Sequence, residues 1–202
     1  VKVVGVGCGP GMITIKAIEA IKSAKKIYGS IRAIEIASPY IIENTHVFPI
    51  KNYNDLKELE PDAIVLSTGD PMLAGLGQFG SEVVPGISSM QYTFSTLRLP
   101  MLKLAIVDAH NKDRATAFKE ISAEIINGKI VFILTDPSLN IAVLASAIDK
   151  DTGGCDLILC EMLGYAEERI VAGTSKKPPV VKAKLFSLVA GYINRDINNG
   201  DR

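Results

Sequence analysis

A two-domain α/β fold is predicted for this chain, on three observations. A valine-rich run over residues 1–7 ends in glycine and leads into an amphipathic segment where Ile15, Ile18 and Ile21 recur at helical spacing. Strand, glycine turn and helix in that order open a parallel sheet. Apolar runs at 26–29, 45–50, 63–67 and 81–84 then alternate with helical or turn-rich pieces at 31–37 and 54–58. Beyond Arg98-Leu99-Pro100, where proline disfavours helix in the residue before it, the pattern changes. Two apolar runs flank Leu163-Gly164-Tyr165-Ala166, which reads as a hairpin and brings antiparallel pairing into the second half. The expected organisation is an N-terminal domain over 1–99 with a largely parallel sheet, and a C-terminal domain over 100–202 with a mixed one.

The remaining elements follow the same signals. Pro85-Gly86 breaks the chain before a helix at 87–97. Strands are expected at 104–108 and 129–134, helices at 114–126 and 140–148, the hairpin strands at 156–162 and 169–172, and a last strand at 188–193. Lys176-Lys177-Pro178-Pro179 reads as an exposed loop, and the polar run 194–202 as a fraying tail.

Composition narrows the function classes. Lys plus Arg and Asp plus Glu each number 22, so no global field draws in nucleic acid or an anionic membrane. Any anion must be met locally. No apolar stretch reaches membrane-span length, and the N-terminus lacks the basic-then-apolar layout of a secretory signal. The three cysteines, Cys8, Cys155 and Cys160, suit free thiols in a reducing cytoplasm. Cys155 and Cys160 fall in a strand-like run at positions facing opposite sides of a sheet, which argues against a zinc site; no metal is expected.

Three glycine-rich stretches carry the chemistry. Gly5-Val6-Gly7-Cys8-Gly9-Pro10-Gly11 follows the first strand, but a dinucleotide fingerprint needs a third glycine where Pro10 or Met12 stands. Its acidic partner is also missing, because Glu35 lies inside a helical segment. The common methyltransferase fold places an acid just before these glycines, where Val3 and Val4 stand, and a phosphate loop needs a lysine and hydroxyl that are absent. A plain tight turn is the competing reading. Gly69-Asp70-Pro71, with Gly75 and Gly77, either makes an ordinary turn or opens main-chain donors and acceptors to a ligand. Pro85-Gly86-Ile87-Ser88-Ser89-Met90-Gln91 places two hydroxyls at a helix start, where they cap the helix or hold a polar ligand.

In this order and spacing, the strand-end Gly-Pro-Gly, the Gly-Asp-Pro and the Pro-Gly-Ile-Ser-Ser resemble the tetrapyrrole methylase family. Ile133-Leu134-Thr135-Asp136-Pro137-Ser138, Glu161-Met162-Leu163-Gly164, Glu168-Arg169-Ile170 and Gly173-Thr174 extend the likeness over nearly the whole chain. Pro85 through Gln91, Thr135-Asp136-Pro137 and Ala109-His110-Asn111-Lys112 are most similar to the branch that methylates carbon 5 of precorrin-7 or cobalt-precorrin-7. Met12 stands where that branch has aspartate, and His110-Asn111-Lys112 where it has His-Gly-Arg; lysine keeps the charge but not the bidentate geometry.

The resemblance implies a homodimeric enzyme that binds S-adenosylmethionine in a cleft between its two domains and methylates a ring carbon of a corrin precursor. Alternatives are another precorrin position, a translation-factor histidine, or a non-catalytic tetrapyrrole-binding module. Carried over by position, Pro10, Gly69, Asp70, Leu73, Ser88 and Ser89 line the cofactor site, with Thr135 and Met162 as contacts from the second domain. Asp70 is read as a loop organiser or a partner of the cofactor's polar groups, not as the base. His110 is the candidate acid, base or substrate anchor, against an ordinary histidine at a strand end, and His46 reads as structural. Arg32, Lys51, Lys112 and Arg114 are candidate partners of the substrate's carboxylate arms, each weighed against a solvated charge. No other catalytic residue is assigned.

Overall fold

The computed structural model describes residues 1–110 and 113–193. Asn111, Lys112 and the tail from Asn194 lie outside the described residues. The chain divides into two compact units, Val1–Tyr92 and Thr93–Arg202. No helix among the described residues is long and apolar enough to cross a membrane.

The first unit holds β1 (Lys2–Gly5), α1 (Ile15–Lys22), β2 (Lys26–Gly29), α2 (Ile31–Ala37), β3 (His46–Pro49), β4 (Ile64–Ser67), the single turn α3 (Pro71–Ala74) and β5 (Glu82–Val84). Its five strands run in the order β3-β2-β4-β1-β5, and every pairing is parallel. Side-chain alternation splits the core. Val4, Ile64, Leu66 and Val84 face Ala17, Ile21, Ala33 and Ile36 of the two long helices. Val3 and Val65 face the opposite way, against Leu56, Leu76 and Phe79. Thr14 and Ser30 start the helices, their hydroxyls accepting from Ala17 N and Ala33 N, each at 3.2 Å. The piece expected as a helix at 54–58 is a 3-10 turn over Tyr53–Glu58. Asn52 Oδ1 accepts from Asn54 N at 3.1 Å, and that local side-chain turn favours the tighter winding.

Helix α4 (Ser89–Thr96) leads into the second unit, followed by β6 (Leu104–Asp108), α5 (Arg114–Ile126), β7 (Ile130–Leu134), α6 (Ile141–Thr152), β8 (Asp156–Glu161), β9 (Arg169–Thr174) and β10 (Phe186–Gly191). The sheet order is β6-β7-β10-β8-β9; only β6–β7 is parallel, so this sheet is mixed. Val107, Val131, Ile133, Leu157, Leu159 and Leu188 pack against Ile121, Ile125, Leu144 and Ile148 of α5 and α6. Cys155 belongs to this core. Cys160, fully buried, alternates with Leu157 and Leu159 onto the other face. Burial pushes the Cys160 thiol up to about 12, so it is an apolar filler and no thiolate. Strand β10 begins two residues before the expected start, because buried Ser187 interrupts the apolar run that the sequence reading followed.

Helix α4 ends in a Schellman motif, with Leu99 N donating to Phe94 O at 2.8 Å and Arg98 N to Ser95 O at 3.1 Å. Arg98 sits at its left-handed position with φ 54°, where a side chain is strained and glycine is not. Arg98→Gly is therefore expected to raise the unfolding free energy by about 0.5–1 kcal/mol, read as a shifted urea midpoint at constant m.

Candidate functional site

Strands β4, β1 and β5 are neighbours and parallel, so the loops leaving their carboxyl ends emerge side by side. These loops are the three glycine-rich stretches. Their main chains touch at three glycines: a Cβ on Gly5 would stand 2.6 Å from Gly86 N and 2.7 Å from Gly69 O, and one on Gly86 would collide with Gly69 O. Gly7 and Gly69 form an antiparallel bridge, with Gly69 N donating to Gly7 O at 2.8 Å. Gly7 takes φ +85° and lies so close to Met12 that a Cβ would meet its carbonyl at 2.6 Å. Cys8 donates its thiol hydrogen to the Met12 thioether at 3.3 Å, closing this first loop on itself.

Asp70 joins the second loop to the third. Its Oδ1 accepts from Met72 N at 2.8 Å and caps α3, while Oδ2 accepts from Gly86 N at 3.1 Å. Ser88 and Gln91 form a capping box on α4. Gln91 N donates to Ser88 Oγ at 3.1 Å, and Gln91 Oε1 accepts from Ser88 N at 2.9 Å and Ser88 Oγ at 3.0 Å. The buried Ser88 hydroxyl is thus occupied by its own helix, and Ser89 follows as the first helical residue, half-buried. Pro10 is exposed at the tip of the first loop and Leu73 is half-buried in the second. Gly11 and Gly75 take φ +79° and +82° with open space where a Cβ would point. Gly77 packs on the Met72 thioether, so it serves the loop's own packing.

In the second unit the parallel ends of β6 and β7 bring His110 and Thr135 together. His110 Nδ1 lies 3.3 Å from Thr135 O, and His110 N donates to Asp108 Oδ1 at 2.9 Å. A carbonyl only accepts, so Nδ1 is the donor in this contact, and Nε2 is the ring nitrogen left outside it. Thr135 Oγ1 donates to Phe186 O at 2.5 Å, tying β7 to β10. Met162, directly after β8, adopts a left-handed φ of 49°, held by Met162 N donating to Leu185 O at 3.1 Å. Arg114 is corrected as a candidate for carboxylate arms. It bonds buried Asp136 at 3.2 Å and donates to Ser138 O at 3.1 Å, so its charge is already met. Lys51 is exposed, and Lys112 lies outside the described residues.

The carboxylate that sequence reasoning missed is Glu161, 1 % exposed at the end of β8. It accepts from Arg169 Nε at 2.5 Å, Lys182 N at 2.5 Å and Ala183 N at 2.8 Å. Burial pushes its carboxyl up, but Arg169 and the two amides outweigh that and hold it below the usual range. The register places Glu161 opposite Arg169, so the hairpin itself carried the signal.

The family model of the tetrapyrrole (corrin/porphyrin) methylases matches residues 2–179. The chain belongs to that family. A relative from Methanocaldococcus jannaschii, named "Probable cobalt-precorrin-7 C(5)-methyltransferase", is 30% identical over 187 residues, covering 82% of this chain and 85% of the relative. Among solved structures of methylases, precorrin-6Y methylase of cobalamin biosynthesis from Archaeoglobus fulgidus superposes with a TM-score of 0.73 at 24% identity, covering 95% of this chain and 97% of that one. A diphthine synthase superposes with a TM-score of 0.72 at 15% identity, over 95% and 90% of the two chains. At these identities the structural likenesses show the methylase fold, and the family model shows the kinship.

Two expectations come from this geometry. Gly86→Ala forces three main chains apart and is expected to lower the unfolding free energy by about 2–3 kcal/mol, whereas Gly75→Ala, with free space around it, costs about 1 kcal/mol. Urea titration of both variants reads the difference. For Glu161 the folded carboxyl is depressed, so its stabilisation is present above the ordinary value of 4.5 and is lost as pH falls through the folded value. Glu161→Gln is expected to destabilise by about 2–4 kcal/mol at pH 7, with the gap to the parent narrowing below pH 4.5 in chemical denaturation.

Proposed function

We propose that this methylase transfers the methyl group of S-adenosylmethionine to a ring carbon of a precorrin or cobalt-precorrin, carbon 5 being the position. The three-glycine junction carries the reading. Its floor admits no side chain, and Gly11 and Gly75 border open space, so a ligand there meets amides and carbonyls directly. That donor set fits a cofactor with one ammonium, one carboxylate and many neutral polar atoms. The 30% identical relative supports carbon 5, since its name states that chemistry.

When bound, S-adenosylmethionine supplies a sulfonium methyl that leaves by in-line displacement. The chain's part is alignment and electrostatics. Asp70 keeps the second and third loops in register, and the spare lone pairs of its carboxylate are available to an ammonium or a ribose hydroxyl. His110, with Nδ1–H on the Thr135 carbonyl, offers Nε2 as acceptor for the proton that the methylated ring carbon sheds. The same reading takes the working enzyme as a homodimer, which sedimentation of the purified chain checks.

The deciding experiment is incubation with methyl-labelled S-adenosylmethionine and a precorrin mixture, followed by NMR of the product carbon. Label on carbon 5 is expected. Label elsewhere on the ring overturns the position, and label only on the modified histidine of the translation factor, offered in parallel, overturns the substrate class. Asp70→Ala is expected to weaken S-adenosylmethionine binding about 10- to 100-fold in calorimetry, with Asp70→Asn between it and the parent because one amide can still be accepted.

A further inference from the structure

Arg32 stands apart from the other arginines whose bonds are described above. Arg114 is met by Asp136, and Arg169 by Glu161, both buried carboxylates. Arg32 is fixed instead by a neutral group, its Nη2 donating to Thr68 Oγ1 at 3.0 Å. Among the described residues no carboxylate lies within ion-pair distance of it. The first turn of α2, which carries it, holds no acidic residue, and Glu35, one turn further along the same helix, forms no ion pair with it. The side chain is half-buried, as is Thr68. Gly29 of β2 pairs with Leu66 of β4, so Arg32 and Thr68 both lie just past the carboxyl edge of the sheet, and Thr68 directly precedes Gly69 of the glycine junction.

A guanidinium held in place, partly desolvated and left without a counter-charge is set to receive an anion. We infer that Arg32, oriented by Thr68, is a carboxylate anchor beside the glycine loops. The fork of remaining N–H donors suits a planar carboxylate, which it can grip through two parallel bonds. The inference rests on the proposed methylase reading, and it assigns the carboxylate to an acetate or propionate arm of the tetrapyrrole. The same chemistry exists in the methionyl end of the cofactor, and the experiment separates the two sources.

The experiment measures binding of uroporphyrin I by fluorescence quenching, and of S-adenosylmethionine and its decarboxylated form by calorimetry, for the parent chain, Arg32→Met, Arg32→Lys and Thr68→Val. Arg32→Met is expected to weaken uroporphyrin binding about 10- to 100-fold. Arg32→Lys, which keeps charge and fold, recovers part of that, and Thr68→Val loses about 3- to 10-fold through orientation alone. Cofactor affinity stays within about 2-fold throughout, since the anchor takes the substrate's arm. If Arg32→Met instead weakens S-adenosylmethionine but not its decarboxylated form, the anchor stands and its carboxylate is the cofactor's. If the parent binds both ligands and all three variants match it, the anchor is wrong while the methylase reading survives. If the parent binds neither, the methylase reading fails and the anchor fails with it.

Discussion

Three main chains meeting without side chains, at Gly5, Gly69 and Gly86, set the conditions for the rest of the first unit. Parallel strands lie about 4.8 Å apart, so loops leaving three adjacent strands compete for one small volume. The junction resolves that competition by removing every Cβ from the contact. Once the main chains can touch, the Gly7–Gly69 bridge and the Asp70–Gly86 bond become possible. A helix follows each loop, and the side-chain-free edge is where the parallel strands aim their carboxyl ends.

The second unit solves a different problem with charge. Asp136 and Glu161 are carboxylates taken almost wholly out of water, and each is held by an arginine together with main-chain N–H donors. Desolvating an unpaired carboxylate would be costly, so these pairs do more to fix geometry than to add net stability. Asp136 shapes the turn after Thr135, and Glu161 binds the hairpin to the segment at Lys182 and Ala183. The first unit leaves Arg32 without such neutralisation, and that asymmetry between structural and unspent charge is what distinguishes the two kinds of arginine.

Much of this was legible in the chain because punctuation is a local property. Glycine and proline restrict the backbone where they stand, so the breaks at Gly69-Asp70-Pro71 and Pro85-Gly86 mark strand ends with no knowledge of neighbours. The capping of α4 by Ser88 is equally local, its partner Gln91 being one turn away. The reason for Gly77 was not legible, because it is the Met72 thioether, brought back by the intervening left-handed turn at Gly75. Arg114 was misread because its partner Asp136 is reached only when β6 and β7 pair. Ser187 hid the start of β10, since a buried hydroxyl looks like a surface one until the sheet covers it.

The way Asp70 makes its two bonds has a consequence for how this family can diversify. It holds amide N–H groups, which every residue except proline supplies, and never a side chain. The neighbouring positions Met72, Leu73 and Ile87 are therefore free to drift without undoing the tie between the loops. A scaffold fastened through its main chain lets evolution exchange the outward chemistry of a pocket, and so the molecule it accepts, while the pocket's frame stays where it was.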